Sequence, residues 1–116
     1  LPDCSGKTPE RGYLSMPVDT GESLVLSACE KLGVTPNILF TGVFGILMSR
    51  YSNSEESLFA TIYNGRNDSR LENTVCMLVK TLPVYCSCDP KVTIQAYMTE
   101  LSEQILSSMA NDISVL

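Results

Sequence analysis

The reactive side chains of this protein set narrow limits, because none of its 116 residues is a histidine. A Ser-His-Asp triad, a Cys-His pair and any histidine metal site are thereby excluded. Glu55 and Glu56 are adjacent on a polar turn, a placement that suits solvated charges better than an acid–base pair. Gly42 and Gly45 fall inside a helical pattern and are too closely spaced for a dinucleotide fingerprint, and no phosphate-cradling glycine loop occurs elsewhere. Arg66 and Arg70 follow a predicted strand, and their guanidinium groups have the fork geometry to hold a phosphate or carboxylate. Asp68 and Glu72 offer Arg70 partners on the same loop; Arg66 is left open.

The five cysteines are Cys4, Cys29, Cys76, Cys86 and Cys88. An odd number at irregular spacing does not form a disulfide framework, so a reducing, cytoplasmic setting is expected. Strand alternation would put Cys86 and Cys88 on one face. Zinc needs about four ligands and a lone thiol pair cannot fill them, so both read as packed or exposed strand thiols, with no metal.

Eight Lys and Arg stand against thirteen Asp and Glu, for a net charge of −5. None of the bases forms a cluster, which argues against nucleic acid and against anionic membrane surfaces. The longest apolar stretch, Ile38 to Met48, is interrupted by Thr41, Gly42 and Gly45 and is far short of the roughly 20 residues of a bilayer span. The opening Leu1-Pro2-Asp3-Cys4 lacks a basic start and an apolar core, and reads as though cut from something longer. The length suits one domain, and a charged share of 18% is low enough to imply that some surface is covered by a partner.

The elements that must position these residues follow from local signals. Residues 1–12 are linker-like, and Tyr13 to Val18 is a possible short strand with Pro17 at an edge or end. Asp19 offers an N-cap with Glu22 as capping-box partner; Leu24, Val25, Ala28, Cys29 and Leu32 then keep helical spacing until Gly33. Thr35-Pro36 starts a second helix to Tyr51, apolar nearly all round and so expected to be buried on most faces, with another backbone close to Gly42 and Gly45. Leu58 to Tyr63 reads as a largely buried strand, and Val75 to Cys88 as a second strand region that Pro83 confines to an edge, bulge or break. Thr93 caps a last helix whose inner face is Ile94, Tyr97, Met98, Leu101, Ile105 and Met109, with Val92 and Tyr97 as a hydrophobic staple. Gln95, Glu100, Glu103, Gln104 and Ser107 make the wet face. The order is that of one α/β unit.

Four segments in this order also resemble nonribosomal peptide synthetase condensation domains. They are Gly33-Val34-Thr35-Pro36-Asn37 running through an apolar helix to Ser49-Arg50-Tyr51-Ser52, the strand Leu58 to Asn64 ending in Gly65-Arg66, the stretch Leu71 to Val84, and Ala110 to Val115. The likeness covers about residues 30–116, with the first thirty compatible. It implies an α/β fold, part of a chloramphenicol acetyltransferase-like lobe: a small mixed sheet packed by about three helices, within the domain's C-terminal lobe.

In that family two lobes enclose a tunnel where carrier-tethered substrates meet, and the paired histidines of the signature belong to the N-terminal lobe. The resemblance therefore implies one partial domain over residues 1–116, catalytically incomplete, with no directly bound cofactor. Its implied partners are the N-terminal lobe and phosphopantetheine-loaded peptidyl carrier domains. The motif and tunnel-wall positions would be Gly65, Arg66, Lys80, Thr81, Leu82 and Pro83, with structural rather than catalytic roles. Where the family has glycine, phenylalanine, asparagine and arginine, this chain has Cys76, Leu78, Lys80 and Tyr85. Leu82-Pro83-Val84 favours condensation over epimerization. A cyclization domain, a stand-alone acyltransferase and a carrier-docking module without chemistry are the rival readings. An opened lobe face would also make self-association of the chain expected.

Overall fold

The computed structural model describes residues 12–17, 21–65, 73–75 and 77–111. Along these run helix α1 (Glu22–Leu32), helix α2 (Pro36–Ser52), strand β1 (Glu56–Asn64), strand β2 (Val79–Ser87) and helix α3 (Ile94–Ala110). The three helices and the strand pair give the expected α/β class. Among the described residues the sheet is one antiparallel pair, with no parallel member.

Local chemistry sets most helix ends. Gly33 turns the chain out of α1 at φ 65°, a left-handed conformation that costs a glycine nothing. The Thr35 hydroxyl accepts from the Ile38 N–H at 3.4 Å, and Pro36 fills the first helical position, where no N–H is needed. Thr93 accepts from the Ala96 N–H at 3.2 Å and starts α3. The start of α1 differs from expectation. Its cap is Gly21, with no side-chain bond, and Glu22 is the first helical residue, so it cannot act as a capping-box glutamate. Asp19 lies outside the described residues.

Residues 12–17 form no strand and are exposed throughout, Tyr13 and Leu14 by about nine-tenths. Among the described residues no strand lies beside this segment to pair with its backbone.

The core lies where α2, β2 and α3 meet, with Ile38, Val84, Cys86, Tyr97, Met98, Leu101 and Ile105 as its buried cluster. Full burial of a side chain such as Met98 contributes about 1.5–3 kcal/mol. α2 is buried along one face only, through Ile38, Thr41, Gly42, Gly45 and Ser49. Phe40, Val43, Phe44, Leu47 and Tyr51 stay exposed, contrary to the expectation of a helix covered on most sides. An apolar helix in so small an assembly finds too few partners to cover every flank. The glycines do mark a close approach, but of side chains rather than backbone. A Cβ on Gly42 would stand 2.7 Å from the Met98 sulfur, and one on Gly45 2.5 Å from the Cys86 sulfur.

Candidate functional site

β1 and β2 pair in the register Asn64↔Val79, Tyr63↔Lys80, Ile62↔Thr81, Thr61↔Leu82 and Ala60↔Pro83. Just beyond β1, the Gly65 N–H donates to the Leu78 carbonyl at 3.0 Å. The end of the first motif strand thus meets the start of the second. The space at Gly65 is closed: a Cβ there would lie 2.6 Å from the Leu78 carbonyl oxygen and 3.1 Å from Cε of Lys80. No residue with a side chain fits, which gives Gly65 a steric role at this junction.

Strand alternation divides the other candidates between two faces. Lys80 and Leu82 point to the helices, and Leu82, 5% exposed, is a core side chain. Thr81 and Pro83 point to the outer face, where Leu58, Ile62, Val79 and Tyr85 are also exposed. Lys80 is half-buried beside Gly65. Arg66 lies outside the described residues, as do Arg70 with Asp68 and Glu72, Cys76 and the motif tail from residue 112 onward.

Leu58 to Tyr63 reads in the sequence as largely buried, yet Leu58 is 72% and Ile62 68% exposed. The inward positions are Ser57, Phe59, Thr61 and Tyr63. Phe59 stacks edge-on against Phe44 of α2 at 4.9 Å, and the Ser57 hydroxyl donates to the Gly45 carbonyl at 3.0 Å. These two contacts set which face of β1 meets the helices.

The bonded pairs Gly65–Leu78 and Cys88–Glu55 bracket the ladder. Odd positions of β1 and even positions of β2 therefore exchange the interstrand bonds, and the alternate positions turn their N–H and C=O outward. Pro83 is one of these, so its missing N–H costs no bond to β1, and among the described residues it sits on an edge, one of the placements its sequence allowed. Two residues on, the outward Tyr85 N–H donates to Oε1 of Gln104 at 3.1 Å. The Tyr85 hydroxyl donates to Glu56 at 2.8 Å, and that bond raises its pKa, although the residue stays at the surface.

Behind the sheet, the buried Tyr97 hydroxyl donates to the Gly42 carbonyl at 2.9 Å. Burial raises the pKa of Tyr97, helped by the neighbouring Cys86, and burial likewise raises that of Cys86. Cys86 and Cys88 do share one face of β2, the first buried and the second partly so. Among the described residues no third His, Cys, Asp or Glu joins them. Raised pKa values keep the Cys86 thiol and the Tyr97 phenol protonated, so this cluster is a packing and hydrogen-bonding element, without the chemistry of an activated nucleophile. Sequence patterns placed Tyr97 inside, but not its bond to Gly42, nor the reach of Gln104 and of Gln95, whose amide donates to the Leu32 carbonyl at 2.9 Å. Such bonds join residues far apart in the chain and have no local signature. No single described helix is long and apolar enough to cross a membrane.

The family model for the condensation domain matches residues 10–113. A plipastatin synthase polypeptide from Bacillus subtilis (strain 168) is 30% identical over 116 residues, covering 93% of this chain but 4% of that protein. Gramicidin S synthase 2 from Brevibacillus brevis is 29% identical over 79 residues, 68% of this chain and 2% of its own length. Nonribosomal peptide synthetase ecdA from Aspergillus rugulosus is 22% identical over 98 residues, 83% of this chain and 1% of its own. The fold is similar to that of the SgcC5 protein from Streptomyces globisporus, with a TM-score of 0.69 at 17% identity over 77% of this chain and 20% of that one. It is also similar to the first condensation domain of the calcium-dependent antibiotic synthetase, with a TM-score of 0.65 at 14% identity over 78% of this chain and 21% of that one. The chain thus spans about a twentieth or less of the synthases it matches and about a fifth of the solved structures.

Proposed function

This chain belongs to the condensation-domain family, and from that premise we propose that it forms one section of the C-terminal lobe of a peptide-bond-forming domain. The whole protein would join aminoacyl or peptidyl groups carried as thioesters on phosphopantetheine arms. In that reaction the acceptor amine attacks the donor carbonyl, a C–N bond forms, the C–S bond breaks and the carrier thiol leaves with the proton. The N-terminal lobe and the peptidyl carrier domains are its partners, and the cytoplasm its setting. The reading takes residues 1–116 as a single partial domain, with 1–12 as linker.

The observation that supports this reading is the meeting of the two motif segments at Gly65 and Leu78, with Lys80, Thr81, Leu82 and Pro83 in one continuous strand, β2, beside β1. Thr81 and Pro83 supply the outer face, Leu82 anchors the strand in the core, and Gly65 lets the strands close. Arg66, the sixth motif position, lies outside the described residues. None of the six supplies a proton-transfer group with an ordinary pKa near neutrality, and the chain has no histidine to do so. Its part in the reaction is to shape a wall that holds two substrates in attacking geometry.

The test uses the purified 116-residue chain with donor and acceptor aminoacyl groups loaded on separate carrier proteins. Mass spectrometry of the acceptor carrier is expected to show no amide above the level without protein. Turnover of the carrier-bound substrates by this chain alone would overturn its assignment as a catalytically incomplete wall.

A further inference from the structure

We draw no further inference here: the strongest candidate, the open edge of β1 along Leu58, Ala60 and Ile62 with the exposed apolar flank of α2 beside it, is bare in a chain that spans about a fifth of the solved folds it matches, and nothing in the structure shows what covers it.

Discussion

Tyr97 of α3 donates its hydroxyl to the Gly42 carbonyl of α2 at 2.9 Å, and both residues are buried. The bond crosses 55 residues of sequence and ties the two helices that enclose the core. Tyr97→Phe keeps the ring and leaves the Gly42 carbonyl with less hydrogen bonding. Urea unfolding of this variant is expected to show a loss of about 1–2 kcal/mol, with an unchanged denaturant slope.

Gly45→Ala tests the approach of β2 to α2. Alanine is favoured over glycine in a helix by about 1 kcal/mol. Here the added Cβ would stand 2.5 Å from the Cys86 sulfur and 2.9 Å from the Tyr97 hydroxyl. Overpacking costs about 1–3 kcal/mol, so a net loss is expected. Cys86→Ala removes the sulfur that meets the new methyl. The double variant is therefore expected to lose less stability than the two single losses added together, which a double-mutant cycle by urea unfolding measures.

The buried thiol and phenol give stability a pH dependence of definite sign. Cys86 and Tyr97 have pKa values raised above 9.0 and 10.0, the values they take when unfolded. The native state therefore keeps both protons at pH values where the unfolded chain has released them. Their contribution is fully present below pH 9.0 and is lost as pH rises above it, first through Cys86 and then through Tyr97. Unfolding curves between neutrality and high alkalinity are expected to show this fall, and Cys86→Ala to delay its onset. A stability that rises over that interval would contradict the burial argument.

Gln104→Ala releases the Tyr85 N–H that now bonds Oε1 at 3.1 Å. Because Tyr85 is 43% exposed, water replaces the lost partner, and the cost should stay near about 0.5–1 kcal/mol. The amide of Tyr85 is expected to exchange faster while those of the α3 core residues are unchanged.

Thr93→Ala removes the cap of α3, whose hydroxyl accepts from Ala96. A loss of about 1 kcal/mol is expected, with the first turn of the helix fraying in amide exchange.

Much of the helical framework was legible in the sequence. Thr35, Thr93 and Gly33 act on backbone groups within four residues, so their effects need no knowledge of the rest of the molecule. The inner face of α3 was equally legible, because Tyr97, Met98, Leu101 and Ile105 alternate with polar residues at helical spacing, although Ile94 proved exposed. Family membership was legible for another reason: four short segments keep their order and spacing. The start of α1 and the segment at residues 12–17 were less so, since a single acidic residue and one apolar run are weak signals without a partner to stabilise them.

The candidate positions Gly65, Lys80, Thr81, Leu82 and Pro83 came from the likeness of short segments to a family, and only the tertiary structure gave their arrangement. By itself the sequence determined that this chain brings no histidine of its own, and where the starts of α2 and α3 and the end of α1 fall. It could not decide which sides of α2 and β1 face inward, because both are apolar on more than one face and their periodicity is degenerate. Packing decided it. Met98 and Cys86 pack closely against the glycines of α2, and the contacts of Phe59 with Phe44 and of Ser57 with Gly45 accompany the outward turn of Leu58 and Ile62. The same choice buried Leu82 and turned Thr81 and Pro83 to the outer face, because side chains on a strand alternate and one register fixes them all.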